Sequence, residues 1–328
     1  MSIPVAGALI TTLGQKHACD LGMILPHEHI FLDLRRWNEP GYGEADVEHV
    51  IAAMTPEINK ARGAGISLIV ETTPIGVGRR PDILQLLSQK TGFPLVLATG
   101  CYGEPWTPPW VHAASETVLI DWMIGELTQK IEGTDTPANW IKLSVNDEGL
   151  TATETKIFRA AAKAARETNA TIGSHTVRGT VALGQLELLE KLDLPLEHFI
   201  WFHTNREPDF GFHLEAARRG AWIEYDGIGR PPPKGGSDEM YVELVSRALD
   251  AGLGRQLLLS HDRLGYDPAT RNVWEPSYSY INEVFIPKLA AVGINYDAIR
   301  QITRDNPFRA YATNRAATRR EVSVPLTA

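Results

Sequence analysis

The sequence predicts a single-domain α/β protein, a (β/α)8 or TIM barrel preceded by a short N-terminal β-hairpin. Two features of the chain lead to this prediction. Short apolar runs alternate with longer amphipathic segments along the whole sequence, and no low-complexity linker divides it. Five of the apolar runs end in a histidine or an aspartate, and catalytic residues collect at these ends in barrels of parallel strands. We therefore expect residues 1–328 to form one barrel domain.

The predicted barrel follows a hairpin over residues 5–20 and contains eight strands. Each strand is a short apolar run, and the first of them reads "GMILPHEH". The runs lie at residues 22–29, 67–73, 94–100, 140–144, 170–175, 198–203, 221–226 and 256–262.

Helical segments separate these strands and follow the last one. The clearest segment is "TATETKIFRAAAKAARET", in which Thr153 is the predicted N-cap and Glu154 lies in the first turn. The predicted helices lie at residues 44–62, 80–90, 115–131, 153–168, 180–191, 209–219, 236–252, 277–292 and 296–304.

A doubly wound open sheet is the alternative for an alternating pattern of this kind. That fold requires a glycine-rich nucleotide loop after an early strand, and "GVGRRP" at residues 76–81 lacks the G-x-G-x-x-G spacing. The barrel is therefore the favoured fold.

The charge and composition of the chain argue against several kinds of binding partner and location. The formal net charge is −8 and no run of basic residues is present, which argues against a nucleic-acid partner. The first fourteen residues, "MSIPVAGALITTLG", have no basic flank and no sustained apolar core, so we expect neither a signal peptide nor a membrane span. Cys19 and Cys101 form no disulfide framework, which predicts a cytoplasmic protein.

The polar residues at the strand ends are candidates for a metal site. In "LPHEHI", His27 and His29 are two positions apart and therefore share one face of a strand. The pair alone is weak evidence, because solvated or hydrogen-bonded histidines give the same pattern. Further candidates lie in the fourth, fifth, sixth and eighth strands: Lys142, His175, His203 and Asp262.

Lys142 is the unusual member of this group, because a lysine inside a barrel is costly unless it is neutralised or paired. It either extends its amine to the rim or reacts as a neutral amine with carbon dioxide to form a carbamate. Asp262 has a structural alternative as a capping or ion-paired residue. His198, His213 and His261 are predicted to be surface or supporting residues.

With these residues assembled, the sequence resembles the phosphotriesterase family of the amidohydrolase superfamily, which includes lactonases and phosphotriesterase-related proteins. The resemblance covers nearly the whole chain. Its motifs are "GMILPHEHI", "WIKLS", "GSHT" at 173–176, "FHTN" at 202–205, "LLLSHD" at 257–262 and "TRDNPFRAYA" at 303–312.

The resemblance implies a dinuclear centre of divalent transition-metal ions. In the family pattern, His27, His29 and Asp262 bind the more buried ion, and His175 and His203 bind the more exposed one. Carboxylated Lys142 and a hydroxide would bridge the two. Zinc is the first expectation, and manganese, cobalt or iron also suit these ligands. A small-molecule substrate and a homodimer are implied as well.

The implied chemistry is hydrolysis by the bridging hydroxide. Two metal ions roughly 3.5–4 Å apart acidify a water and polarise the bond to be cleaved. Asp262 can bind the hydroxide and carry its proton to the leaving group. No serine nucleophile is indicated, because "GSH" at 173–175 is not a G-x-S-x-G motif.

Loops after the strands set substrate choice. "TGCYGEPWTPPW" (99–110) brings Tyr102, Trp106 and Trp110 to the rim, and Tyr102 matches a family tyrosine that can bond the substrate carbonyl. Alternatively, these aromatic residues cap the barrel or form a subunit contact. Basic residues on three loops indicate an anionic group on the substrate: Arg178, Arg230, Lys234 and Arg263.

Two departures from the family pattern bear on the substrate. Gly227 follows Asp226, and Arg263 follows Asp262, where acyl-homoserine lactonases carry a basic residue and a tyrosine. Long acyl-chain lactones are therefore disfavoured. The expected activity is the opening of a lactone, such as a sugar lactone with an anionic group. Phosphotriester hydrolysis and amide hydrolysis are the alternatives, and a binding protein on the same barrel is the non-enzymatic one.

Overall fold

The computed structural model describes residues 7–232, 235–274 and 277–313. Within this part of the chain the predicted barrel is present, with every predicted strand at its expected place. The barrel strands are Met23–Glu28, Ile66–Glu71, Leu95–Val96 continued by Ala98–Thr99, Trp140–Ser144, Ile172–His175, Phe199–Phe202, Trp222–Tyr225 and Leu257–Leu259.

The strands pair in parallel and in sequence order. One run of pairing joins the first three strands, and a six-stranded run joins the third to the eighth. The third strand belongs to both runs because it is interrupted at Leu97. The first and eighth strands close the barrel, since the Asp262 N–H donates to the His27 carbonyl at 3.2 Å and the His29 N–H donates to the Arg263 carbonyl at 2.8 Å. The predicted α/β barrel is confirmed.

A helix follows each of the first seven strands, as predicted. These helices are Val47–Gly63, Pro81–Thr91, Glu116–Thr128, Ala152–Thr168, Gly179–Lys191, Phe210–Arg218 and Asp238–Asp250. The short helix Pro109–Ala113 was not predicted. The two C-terminal predictions hold in part: Ile281–Phe285 and Gln301–Asp305 are π-helical turns, followed by the α-helices Ile286–Ala291 and Asn306–Tyr311, and Tyr296–Arg300 precedes the second turn.

The predicted N-cap of the helix between the fourth and fifth strands was wrong by two residues. Thr151, not Thr153, is the N-cap of Ala152–Thr168. Its hydroxyl accepts from the Glu154 N–H at 3.1 Å, and the Glu154 carboxylate accepts from the Thr151 N–H at 2.9 Å. This reciprocal pair requires a spacing of three residues, which only Thr151 has relative to Glu154.

The core has two layers. The outer layer lies between the strands and the surrounding helices, and the inner one fills the barrel with residues such as Leu68, Trp140 and Phe202. Strand alternation separates the two faces. The hairpin strands Leu9–Thr11 and Gly14–Lys16 lie where the strands begin, since Asn139, just before the fourth strand, accepts from the Ile10 N–H at 3.0 Å. The opposite end, where the strands finish, carries the candidate site.

None of the helices in the described ranges has the length and apolar character needed to cross a bilayer.

Candidate metal centre

All of the predicted metal ligands meet at the end of the barrel where the strands finish. They line one cavity of about 170 Å3, and they are His27, His29, Lys142, His175, His203 and Asp262. They come from strands that are far apart in sequence, so the barrel itself brings them together.

The first group of ligands consists of two histidines and an aspartate. The Nε2 atoms of His27 and His29 lie 3.5 Å and 3.4 Å from Oδ1 of Asp262. These three atoms are close enough to hold one metal ion. Burial lowers the pKa of His27 to about 3 and also lowers the pKa of His29, so both imidazoles are neutral and their lone pairs can bind a cation.

The second group consists of His175 and His203. Nε2 of His203 lies 2.7 Å from Nδ1 of His175. His203 ends the sixth strand with a left-handed backbone (φ 60°), which turns the chain into the 3-10 turn Thr204–Arg206. Burial holds the pKa of His175 well below its usual value, so this pair is also suited to a cation.

Lys142 lies beside these groups. Its Nζ is 3.3 Å from Nε2 of His27 and 3.9 Å from the centre of the Phe202 ring. Among the described residues, no carboxylate lies within ion-pair distance of this amine. Burial lowers its pKa from 10.5 to about 8, although the neighbouring Asp262 carboxylate opposes the shift. A neutral amine is therefore accessible near physiological pH, and rim exposure is excluded because Lys142 is buried.

Carboxylates behind the histidines fix their orientation. Asp226 contacts Nδ1 of His203 at 2.9 Å and Nδ1 of His27 at 3.1 Å. Glu224 contacts Nδ1 of His27 at 2.7 Å, and Thr73 contacts Nδ1 of His29 at 2.7 Å. Each Nε2 atom is thereby directed into the cavity.

Asp226 also falls with His27 and His203 in a second potential cation cluster. Because its oxygens already contact both Nδ1 atoms, we assign it to anchoring the rings. This role of Asp226 and Glu224 was not predicted from the sequence. The available signal was their shared face on the seventh strand, which ends in an aspartate as the eighth does.

Glu28 fastens the first strand to the eighth behind the ligands. Its carboxylate accepts from the Ser260 hydroxyl at 2.7 Å, from Nδ1 of His261 at 2.7 Å and from the Arg263 N–H at 2.9 Å. His261 is thus a supporting residue, as is buried His213, which contacts the Tyr225 hydroxyl at 3.1 Å. His198 is half-buried.

This donor set fits a pair of transition-metal ions. Imidazole nitrogen and carboxylate oxygen are the ligands that zinc, manganese, cobalt and iron accept in proteins. Two neighbouring groups of such ligands converge on one cavity, with the buried amine of Lys142 next to them. The residues present would therefore hold both ions that the family pattern implies.

Tyr102 lies at the cavity as predicted. Its hydroxyl is 3.3 Å from Nδ1 of His175, and burial raises its pKa to about 12, so it remains a hydrogen-bond donor. Trp106 does not line the cavity. Its ring packs edge-on against Tyr102 at 5.8 Å and its Nε1 donates to the Leu34 carbonyl at 2.9 Å, so it supports Tyr102 from behind. Trp110 is exposed and packs on Trp122.

The predicted arginines separate into different positions. Arg230 lines the cavity, where it contacts the Asp262 carboxylate and donates to the Asp262 carbonyl at 2.7 Å. Arg178 is exposed and is not among the lining residues. Lys234 lies outside the described residues.

Arg263 requires a correction, because its side chain points away from the cavity. It is buried, pairs with Glu57 at 2.8 Å and lies over the Tyr278 ring at 4.2 Å. The reason is strand alternation, because the residue that follows Asp262 faces the opposite side of the strand when Asp262 faces the cavity. Arg206, which was not among the predicted residues, does line the cavity. Its position three residues after His203 in a rim loop was the available signal.

The comparisons with known proteins agree with this geometry. The sequence profile of the phosphotriesterase family matches residues 7–311. The chain is 28% identical to the phosphotriesterase homology protein of Escherichia coli, over 88% of this chain and 98% of that protein. It is 26% identical to the aryldialkylphosphatase of Saccharolobus solfataricus, over 89% of this chain and 96% of that protein.

A solved structure is similar over the whole barrel. It is a mutant of a phosphotriesterase-like lactonase from Deinococcus radiodurans, with a TM-score of 0.82 and 29% identity, covering 93% of this chain and 100% of that one. The profile match over most of the chain, together with the converging ligands, identifies the protein as a metal-dependent hydrolase that belongs to the phosphotriesterase family.

Proposed function

We propose that the protein hydrolyses a small lactone, with phosphotriester hydrolysis as a second candidate. The observation that carries the proposal is the Tyr102 hydroxyl, which lies in the cavity beside His175. A phenol that stays protonated and faces the ligand groups is suited to donate a hydrogen bond to the carbonyl oxygen of an ester ring. As the attacking water adds to the carbonyl carbon, negative charge develops on that oxygen, so the bond strengthens in the transition state.

The size of the cavity supports a small substrate. At about 170 Å3 it is smaller than the pockets of roughly 300–1,000 Å3 that accept drug-sized ligands. Leucines form its apolar wall: Leu32, Leu34 and Leu264. A compact ring with one short substituent suits this space better than a long acyl chain or a phosphorus atom with three large groups.

Metal ions bound at this centre supply an acidified water and polarise the ester carbonyl. The protein residues have separate tasks. His27, His29, His175 and His203 would hold the ions together with Asp262 and carboxylated Lys142. Tyr102 orients the carbonyl, and Asp262 accepts the proton of the attacking water and returns it to the leaving oxygen. Burial raises the pKa of Asp262, but the Arg230 guanidinium lowers it, and the pKa lies well below its usual value. This carboxylate is therefore ionised before the reaction.

The relatives support both candidates. The structure from Deinococcus radiodurans is called a lactonase, whereas the Saccharolobus solfataricus relative is called an aryldialkylphosphatase. Lactone hydrolysis is preferred here because of Tyr102 and the small cavity. Zinc is the proposed metal and the cytoplasm the proposed location.

A substrate panel tests the proposal. Protein loaded with zinc, manganese or cobalt in bicarbonate buffer is assayed with γ- and δ-lactones, with paraoxon and with p-nitroacetanilide. We expect kcat/KM to be highest for a lactone. Asp262→Asn should abolish turnover, and this control shows that the activity does not come from a contaminating enzyme. Faster hydrolysis of paraoxon or of the anilide than of every lactone would contradict the proposal.

A further inference from the structure

The cavity has an apolar side and a cationic side. The leucines come from loops after the first and eighth strands, whereas Arg206 and Arg230 come from loops after the sixth and seventh. The whole chain has a formal net charge of −8, so two arginines at one cavity form a local exception. A cavity of this kind favours a substrate with an apolar ring and an anionic substituent.

The arginines differ in whether their charge is already neutralised. Arg230 contacts the Asp262 carboxylate, and Arg263 pairs with Glu57 at 2.8 Å outside the cavity. Arg206 has no ion pair or side-chain hydrogen bond with any residue in the described ranges. It is exposed, and its guanidinium is therefore available to a ligand at the mouth of this cavity.

The backbone that carries Arg206 is fixed relative to the metal ligands. The Arg206 N–H donates to the His203 carbonyl at 2.9 Å, closing the 3-10 turn that begins at that ligand. The side chain of Asn205 accepts from the Asp226 N–H at 3.0 Å and donates to the Tyr241 hydroxyl at 2.9 Å. Because these hydrogen bonds already fix the backbone at Arg206, an anion that binds its guanidinium causes little further loss of conformational entropy in the loop.

We propose that Arg206 binds an anionic substituent, a carboxylate or a phosphate, on the lactone. This inference rests on the proposed function. Its planar set of N–H donors matches either group in a two-point hydrogen bond. Arg206 takes the role that the sequence predicted for Arg178, Arg230, Lys234 and Arg263. The proposed substrate class is therefore small lactones that carry one negative charge.

The experiment compares two probes that differ only in charge: the γ-lactone 5-oxotetrahydrofuran-2-carboxylate and its carboxamide. For the metal-loaded wild-type protein we expect kcat/KM to be about 10–100-fold higher for the carboxylate, as for a charge-assisted hydrogen bond. Arg206→Met should abolish this preference through KM, and Arg206→Lys should retain part of it. Arg178→Met is the matched control, since it removes an exposed arginine that does not line the cavity, and it should leave the preference unchanged.

Calorimetry with tetrahydrofuran-2-carboxylate, which has no ester to cleave, separates this inference from the proposed function. Weaker binding of this compound to Arg206→Met than to Arg178→Met supports the anion site. If neither lactone is hydrolysed in that case, the lactonase proposal fails and the anion site stands. Equal binding to both variants, or an unchanged carboxylate preference in Arg206→Met, would overturn the assignment of Arg206.

Discussion

Nζ of Lys142 lies 3.3 Å from Nε2 of His27, deep in the barrel and out of reach of any carboxylate partner in the described part of the chain. An ammonium in this position would face a histidine nitrogen that is itself expected to bind a cation. The arrangement becomes favourable when the amine is neutral or carries a carboxylate group of its own. Lys142 is therefore the residue on which the account of the centre depends most.

The stability of the metal-free protein should depend on pH through Lys142. Its pKa is about 8 in the folded protein and close to 10.5 when unfolded, so the unfolded chain binds more protons between these values. The free energy of unfolding should therefore rise with pH in that window, relative to Lys142→Met, by at most about 3 kcal/mol. Urea unfolding of both proteins in carbonate-free buffer measures the difference, and a difference that does not change with pH would refute the shifted pKa.

Asp226→Asn should weaken metal binding without unfolding the barrel. The carboxylate contacts Nδ1 of both His203 and His27, and loss of such an anchor lowers metal affinity by roughly 10–100-fold. Competition with a chromophoric chelator measures the affinity. The matched control is Glu126→Gln, which removes a buried carboxylate that pairs with Arg79 at 2.6 Å outside the cavity. If the two variants bind metal equally well, Asp226 has no specific role at the centre.

Glu28→Gln should destabilise the barrel at the closure between its first and eighth strands. An amide nitrogen there would face donors from Ser260, His261 and Arg263, so we expect a loss of about 1.5–3 kcal/mol in the free energy of unfolding. Urea unfolding again gives the value. Glu116→Gln, which breaks exposed pairs with Arg159 and Lys163, should cost less than about 1 kcal/mol. Similar losses in the two variants would show that Glu28 is not a closure residue.

Tyr102→Phe keeps the ring contacts with Trp106 and His175 and removes the hydroxyl. If the hydroxyl bonds the carbonyl oxygen in the transition state, kcat for a lactone should fall by about tenfold, with a smaller change in KM. Metal content should be unaffected. Unchanged lactone kinetics would show that the Tyr102 hydroxyl does not bond the carbonyl oxygen, and the lactonase proposal would lose its main support.

The sequence was sufficient to predict the barrel because apolar runs mark its strands, and the resemblance to the family supplied the candidate metal ligands that line the cavity. Strand alternation places Asp262 on the inner face with Leu258, whereas His203 follows Phe202 of the inner layer and has a left-handed backbone (φ 60°) where it reaches the cavity. The order of the strands then determines which ends meet. The Thr153 cap was misassigned because two threonines precede Glu154, and only the three-residue spacing of Thr151 allows the reciprocal bonds.

Loop residues could not be placed in the same way. Arg263 directly follows Asp262 and was expected to face the substrate, but it lies on the opposite face of the strand from Asp262 and pairs with Glu57. Arg206 lies three residues after His203, but whether its guanidinium is available depends on which arginines find carboxylate partners. Asp226 anchors rings that come from other strands, and such contacts between distant segments are decided by the closed barrel.

The most direct test of the central claim is the metal content of the wild-type protein, Lys142→Glu and Lys142→Met, each produced with added zinc and bicarbonate and measured by elemental analysis. A carboxylated Lys142 that bridges the ions predicts about two metal ions per wild-type chain. It also predicts clearly fewer in Lys142→Met, which has similar length but no oxygen, and an intermediate value in Lys142→Glu. Acetate or propionate at high concentration should restore part of the activity of Lys142→Ala. Full metal content and full activity in Lys142→Met would contradict the bridge and the dinuclear mechanism built on it.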